Sequence, residues 1–400
     1  MMDFSSLLID TYTLILLIIL AVSALFLMLY YGLVYLRVAI YKNAKVPKSD
    51  QLSDRDLPFV SVVLVAHNDE NFLRENLVYL LEQDYPNFEV VVVDYLSRGV
   101  NDETDKPSET QFILRLCKEN YPHLKIVNFP SDVNMHQGKK YPLSIGIKSA
   151  KGDIILLTDP DSVPKDPDFR WIRSMMAGYI PGTKIVLGYN GVKKEKGLLN
   201  SMVQYENLCS AASMISMTIM GHPYTGVGKN LSYRRDFFFD KGAFISHYTE
   251  PYGADDMFVN QNADKSNTSL VLEPSSFTEM QAPQTPKQWR QMRKERFATK
   301  KYYSFKEKAT LSMHGVFALM FYVSLVLLWM NNYTSLYWNI ALGASLLIKF
   351  TWQIIAFSRL SKRFSVPSVH FFAPLYEIYF LVSNTIFYIS SLISIKKRIR

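Results

Sequence analysis

A chain of 400 residues accommodates roughly two or three domains. Its 44 Lys+Arg against 36 Asp+Glu leave a net charge of +8, and its mean hydropathy of +0.01 is high for a purely soluble enzyme. Two cysteines, Cys117 and Cys209, exclude a disulfide framework and a four-thiolate metal site and read as core thiols of a reducing compartment.

Residues 11–36 contain no Asp, Glu, Lys or Arg, and the same holds for 309–348 and 378–395. A helix needs about 20 apolar residues to cross hydrocarbon, so the pattern predicts an integral membrane protein carrying a water-soluble domain. The first run is too long for a cleaved signal and follows Asp3 and Asp10 rather than a basic segment. Arg37, Lys42, Lys45 and Lys48 come after it. The positive-inside rule then puts the N-terminus outside and the following domain in the cytoplasm. A transmembrane helix is expected over 11–36 and the soluble domain over 50–303.

Within that domain, short β-branched strands are expected at 60–66, 89–94, 125–129 and 153–158. Helical patterns fall near 71–82, 111–119 and 141–150. Continuous apolar strands alternating with helices predict a parallel sheet covered on both faces. Ligands of such sheets bind at the carboxyl ends of the strands. There is no internal repeat or low-complexity segment.

A basic stretch follows, with Lys287, Arg290, Arg293, Lys294 and Arg296 against Glu295. On a helix Trp289, Arg293, Arg296 and Lys300 share one face. That face suits anionic lipid. Much of the positive charge lies here or beside the apolar runs, so it marks membrane flanks and no nucleic acid partner is expected.

The second run divides into transmembrane helices at 309–330 and 334–357 around a turn at Asn331-Asn332-Tyr333. Lys300, Lys301, Lys306 and Lys308 precede this hairpin, and Arg359, Lys362 and Arg363 follow it. Both flanks therefore belong on the cytoplasmic side. Lys349 lies inside the second arm and is expected to snorkel toward the cytoplasmic end, the alternative being an intramembrane site. The last segment, 370–395, is an interfacial or a third C-terminal membrane helix. Pro374, Glu377 and the trailing Lys396, Lys397, Arg398 and Arg400 favour the interface.

The chemistry sits behind the strands. The first is followed by His67-Asn68-Asp69-Glu70, the second ends in Asp94 before Tyr95-Leu96-Ser97, and the fourth leads to Asp159-Pro160-Asp161. Two carboxylates at i and i+2 form a compact anionic corner suited to a hard divalent cation that also grips phosphates. The histidines offer no paired metal-ligand spacing, and only His222 lies near a candidate site.

From Pro58 to about Tyr303 the chain resembles the family 2 glycosyltransferases, nucleotide-sugar enzymes of the GT-A fold. The resemblance is carried, in order, by VSVVLVAHNDE, LLEQDYPNFEVVVVD, GKKYPLSIGIKSAKGDIILLTDPDSVP, GVGKNLSYRRDFF and YGADDMFVNQNA. One helix before the domain and a hairpin after it resemble bacterial membrane-bound members. The resemblance implies an α/β fold, a Rossmann-like mostly parallel sheet flanked by transmembrane helices, and an Mg²⁺ or Mn²⁺ cofactor.

It further implies that Ala66 and Asp69 contact the nucleotide, that Asp94 accepts the uracil imide hydrogen, and that Lys139 lies near the donor phosphates. Arg290 and Arg293 would clamp the pyrophosphate. Asp161 is expected on the metal, with Asp159 on the metal, ribose or sugar. Gly226, Gly228 and Asn230 would line the acceptor side. Asp255 matches the catalytic base, with Asp256 as the alternative because Ala254 replaces the usual Glu.

The expected function is inverting transfer from a nucleotide-diphosphate sugar, UDP-linked, to a lipid-linked or cell-surface glycan acceptor at the inner membrane, with the domain cytoplasmic. Gln288-Trp289-Arg290-Gln291-Met292-Arg293 holds the residues of the synthases' Q-x-x-R-W in the wrong order, which argues against a processive polysaccharide synthase. Intact Asp161 and Asp255 argue against a catalytically silent scaffold.

Overall fold

The computed structural model describes residues 10–95, 108–129, 138–248, 250–366 and 369–398, with side chains described as far as residue 387. Of the sequence features above, Asp3, Leu96, Ser97 and Arg400 lie outside these residues, as do the side chains of Lys396, Lys397 and Arg398. The chain forms two units, one comprising Lys42–Tyr303 and the other the helices on either side of it.

Helix α1 (Thr11–Tyr30) starts at Asp10, whose carboxylate accepts from Thr13 N at 2.8 Å. It continues through a π-helical turn at Tyr31–Leu36 into α2 (Arg37–Ile40). Together they make a 30-residue helix that is apolar enough to cross a membrane.

The unit Lys42–Tyr303 then alternates strands and helices. Strand β1 (Val60–Ala66), α3 (Glu70–Leu81), β2 (Phe88–Asp94), α4 (Glu109–Asn120), β3 (Leu124–Asn128), α5 (Lys140–Ser149) and β4 (Ile154–Leu157) follow in order. Next come β5 (Ser162–Pro164), α6 (Trp171–Met176), β6 (Ile185–Leu187), β7 (Asn190–Val192), α7 (Leu198–Ile219), β8 (Leu231–Arg234) and α8 (Arg235–Asp240). The unit closes with α9 (Ala254–Asn262), β9 (Thr268–Leu270), β10 (Thr278–Met280) and α10 (Pro286–Lys300).

The main sheet has the order β3-β2-β1-β4-β8-β6-β9. Its first four strands are parallel, as the unbroken apolar runs predict, with Val60 opposite Phe88 on one side and Ile154 on the other. Every residue of β1 and β4 is buried, because helices cover both faces. Leu73, Leu77, Leu80 and Leu81 of α3 recur at helical spacing and pack with Val62, Leu64, Val90 and Val92 in one core. The sheet is not parallel throughout: β8 runs antiparallel to both β4 and β6. A smaller sheet, β5-β10-β7, begins right after the Asp159-Pro160-Asp161 turn and so fixes that turn from its far side.

After that unit, α11 (Phe305–Asn332) starts in a capping box between Ser304 and Glu307, and α12 (Leu336–Arg363) returns. Both are long and apolar enough to span. Asn331 Nδ2 donates to Thr13 Oγ1 at 3.0 Å, so the hairpin turn and the start of α1 share one end. A second polar link ties Arg363 Nη2 to the Tyr41 carbonyl at 3.5 Å, which puts both basic flanks at the other.

Lys349 corrects its expectation. It sits midway along α12, about 21 Å from Arg363 at 1.5 Å per residue, and is 1% exposed, so it does not reach the helix end. Its ammonium pairs with Glu377 of α13 (Val369–Arg398) and donates to Tyr322 Oη at 2.8 Å and Gln353 Oε1 at 3.0 Å. Glu377 also accepts from Tyr31 and from Tyr322, the latter at 2.8 Å, and lies 3.1 Å from His314 Nε2. All four long helices contribute to this buried cluster.

Candidate active site

The anionic corner expected behind the fourth strand is held by hydrogen bonds to its backbone, one local and two from distant segments. Ser162 N donates to the Asp159 carbonyl at 3.0 Å, closing the turn, and Gln281 N donates to the Asp161 carbonyl at 3.0 Å from just beyond β10. Asn76 of α3 holds the Pro160 carbonyl at 2.8 Å. The turn is thus pinned by a hydrogen bond to each of its three carbonyls.

Two lysines meet those carboxylates. Lys139, at the start of α5, lies 3.0 Å from Asp159 Oδ1, and Lys229 lies 2.5 Å from Asp161 and 3.7 Å from Asp159 Oδ2. Burial opposes ionisation of Asp159, but the two ammonium groups and their hydrogen bonds hold its carboxyl below the ordinary range. Asp159 in turn holds the Lys139 ammonium above its ordinary value. Asp69, at the start of α3, accepts from His67 N at 2.9 Å. Burial raises its carboxyl, and Lys139, Asp159 and Asp161 all act on it, so the ends of β1 and β4 share one electrostatic site.

Asp159 and Asp161 supply hard oxygen donors of the kind Mg²⁺ or Mn²⁺ takes. Among the described residues no group of three or more His, Cys, Asp or Glu is placed to hold a metal. Two carboxylates suffice for an ion that completes its shell with substrate phosphate and water, so the donor set fits such an ion.

Asp94 ends β2 and is buried. Its Oδ2 accepts from Gln111 Nε2 at 2.8 Å, whereas its Oδ1 is buried without a hydrogen-bond partner. An unsatisfied buried oxygen costs roughly 1–3 kcal/mol, which is tolerable where a ligand donor completes it. Ala66 is wholly buried beside it, and its carbonyl accepts from Tyr95 N at 2.8 Å.

Asp255 and Asp256 open α9 after Gly253, which adopts the left-handed conformation at φ 72°. They face different partners. Asp255 Oδ2 accepts from Gly228 N at 2.8 Å. Burial, and then the nearby Asp159, push its carboxyl up to about 6. Asp256 Oδ1 instead accepts from Thr225 Oγ1 at 2.5 Å and Tyr303 Oη at 2.7 Å. Asp255 is therefore the acid turned toward the corner.

The glycines and Asn230 separate into two roles. A Cβ on Gly228 would stand 2.1 Å from Asp255 Oδ2, so only glycine leaves room for that carboxylate. Gly226 packs inward, where a Cβ would lie 2.8 Å from Val259. Asn230 is corrected: it is 1% exposed and does not line an acceptor surface. Its amide donates to the Tyr189 carbonyl at 2.8 Å and the Ser276 carbonyl at 2.7 Å, and accepts from Trp171 Nε1 at 3.1 Å.

Arg293 is buried and its Nε donates to Glu206 of α7 at 3.0 Å, beside Trp289 Nε1, which donates to the same carboxylate at 2.7 Å. Trp289 and Arg293 of the shared face of α10 are thus turned onto the protein, whereas Lys300 at its end is exposed. Arg290 is exposed. Sequence reasoning missed Lys229, Glu206 and Tyr303. Lys229 was within reach, being the one cation in the glycine-rich GVGKN segment, whereas the other two lie far in sequence from their partners.

Residues 61–238 match the family described as Glycosyl transferase family 2. The chain is 25% identical over 157 residues to the probable glycosyltransferase YdaM of Bacillus subtilis, covering 39% of this chain and 35% of that one. It is 29% identical over 164 residues to the dolichyl-phosphate beta-glucosyltransferase ALG5A of Trichomonas vaginalis, covering 38% and 46%. The chain spans between a third and a half of the length of these curated relatives. Among solved structures, the mannosyltransferase PcManGT from Pyrobaculum calidifontis, in complex with GDP-Man and Mn²⁺, matches with a TM-score of 0.55. That match covers 92% of this chain and 99% of that one at 19% identity, a likeness of fold. The chain therefore carries a glycosyl transferase family 2 domain, built on a GT-A-like α/β fold.

Proposed function

We propose that the protein is a membrane-anchored inverting glycosyltransferase. It moves a sugar from a nucleoside-diphosphate donor to a hydroxyl of a lipid-linked or cell-surface glycan acceptor. The observation that carries this is Asp255, a carboxylate raised to about 6 and set beside the Asp159–Asp161 corner. The acceptor oxygen attacks the anomeric carbon, the bond to the donor diphosphate breaks with its electron pair, and Asp255 takes the hydroxyl proton. Lys139 and Lys229 neutralise charge on the departing diphosphate. When bound, a divalent ion on Asp161 and Asp159 adds to that neutralisation.

The orphaned Oδ1 of Asp94 suits the imide N–H of uracil, which supports a UDP-linked donor. Guanine carries a comparable ring N–H, and the fold neighbour was solved with GDP-Man. An acceptor phosphate, as in the name of the Trichomonas relative, is ionised without help. A buried carboxylate poised near neutrality therefore favours a hydroxyl. The shared ends of α1, α11 and α12 support a cytoplasmic domain, and a mid-helix partner for Lys349 supports α13 entering the bilayer.

Detergent-purified protein incubated with UDP- and GDP-sugars, a divalent cation and a membrane glycolipid extract tests the proposal. Release of nucleoside diphosphate that depends on one donor and on the extract is expected. No release from any donor, with the nucleotide nonetheless bound, would instead favour a silent scaffold.

A further inference from the structure

The loop that carries Asp255 is gripped from one side by the last residues before the membrane helices. Tyr303 Oη donates to Asp256 Oδ1 at 2.7 Å, whereas the Thr299 hydroxyl donates to the Arg296 carbonyl at 3.0 Å within its own helix. Lys301 Nζ donates to both oxygens of Glu250 at 3.1 Å, and the Tyr302 hydroxyl donates to the same group. Thr299 also closes on the turn itself, since a Cβ on Gly253 would lie 2.3 Å from its Cγ2. The Tyr303 ring is buried and packs edge-on against Tyr224 at 5.6 Å. On the opposite side, Lys140 Nζ donates to the His247 carbonyl at 2.7 Å, and Glu250 N donates to that carbonyl at 3.1 Å.

Asp255 and Asp256 are the second and third residues of one helix. Successive side chains on a helix point about 100° apart, so fixing Asp256 fixes the direction in which Asp255 points. One of the two hydroxyls on Asp256 comes from Tyr303 and the other from Thr225, and Ser304, next in the chain after Tyr303, caps α11. We propose that residues 299–303 are a clamp that positions the base. Tyr303 and Asp256 are its central positioning pair, and Lys301 and Tyr302 hold the loop at Glu250. This rests on the assignment of Asp255 as the base.

The test uses the full-length protein in detergent. Tyr303→Phe removes one hydroxyl and keeps the packed ring. A carboxylate misplaced by up to an ångström costs as much as roughly 10²-fold. The expected kcat is about tenfold lower, with donor KM and nucleotide affinity within about twofold of wild type. Thr225→Val, which strips the other short hydrogen bond from Asp256, should behave alike, and retained nucleotide affinity reports that both variants fold. Placed in an Asp255→Asn background, Tyr303→Phe should change the residual rate by less than about twofold, because it acts through the missing base. Wild-type kcat in Tyr303→Phe, or a further tenfold loss in the Asp255→Asn background, would overturn the clamp. If Asp255→Asn alone retains full kcat, the base assignment beneath it fails instead.

Discussion

The tightest geometric constraint in the site lies between Gly228 and Asp255, and one methyl group probes it. Gly228→Ala would put a Cβ 2.1 Å from Asp255 Oδ2, 2.3 Å from its Cγ and 2.7 Å from its Oδ1. Ordinary contact begins at 3.4 Å, so the nearest oxygen must retreat by about 1.3 Å, and with it goes the 2.8 Å bond from Gly228 N. A displacement of about 1 Å at a reacting group costs on the order of 10²-fold in rate. The opposite face of the loop is held through Asp256 and Glu250, which leaves the carboxylate little room to swing elsewhere. Gly228→Ala should therefore lower kcat by roughly 10²-fold, with nucleotide affinity unchanged, since Asp94 and Asp161 do not move. Nucleoside diphosphate release measures the first and titration calorimetry with the free nucleotide the second. A variant within threefold of wild-type kcat, by rough allowance for error, would refute the placement of Asp255 beside the acceptor.

Other outcomes follow from the same geometry. Because the Asp255 carboxyl is raised to about 6 and the base must be ionised, kcat/KM should fall about tenfold per pH unit below that value; a rate flat down to pH 5 would contradict it. Asn230→Ala should act on stability, because the Trp171 indole and the Ser276 carbonyl lose Asn230, while the Tyr189 carbonyl keeps Thr278 N at 3.2 Å. A loss of at least about 2 kcal/mol, seen as a lower thermal midpoint, is expected, with donor KM retained in the folded fraction. Lys349→Met should destabilise the detergent-solubilised protein by about 3–5 kcal/mol, because the buried Glu377 loses its ammonium partner and keeps only Tyr31, Tyr322 and His314. Adding Glu377→Met should recover most of that loss, and a double variant as unstable as the single would remove the pair from its structural role.

Much of the sheet, and the acids at the ends of its strands, could be read directly from the residues. Strands such as VSVVLVA and DIILLT are β-branched, short and unbroken, which only a sheet buried on both faces accommodates, and the acids follow the strands as Asp94, Asp159 and Asp161. Local spacing sufficed because each of those groups lies within a few residues of its strand. It failed where partners are distant. Asn230 sits in a motif yet spends its amide on Tyr189, Ser276 and Trp171, and nothing nearby in sequence signals that. Arg293 has the face of a lipid-binding residue until Glu206, on another helix, takes its guanidinium. Lys349 has the same character, since a lone lysine in an apolar run suggests snorkelling unless its acid, here Glu377 on the next helix, is known. The reversed β8 was equally hidden, because LSYR has no pattern that distinguishes parallel from antiparallel pairing.

The most direct test separates binding from chemistry at a single side chain. Asp255→Asn keeps the shape of the carboxylate and removes its basicity, and single-turnover transfer from a bound nucleotide-sugar to the glycolipid extract reads the chemical step alone. The variant should bind nucleotide and divalent cation as wild type does, and transfer sugar at least roughly 10²-fold more slowly. Asp256→Asn, tested beside it, should keep nucleotide affinity and lose less. An Asp255→Asn protein that transfers sugar at the wild-type rate would contradict the proposed mechanism.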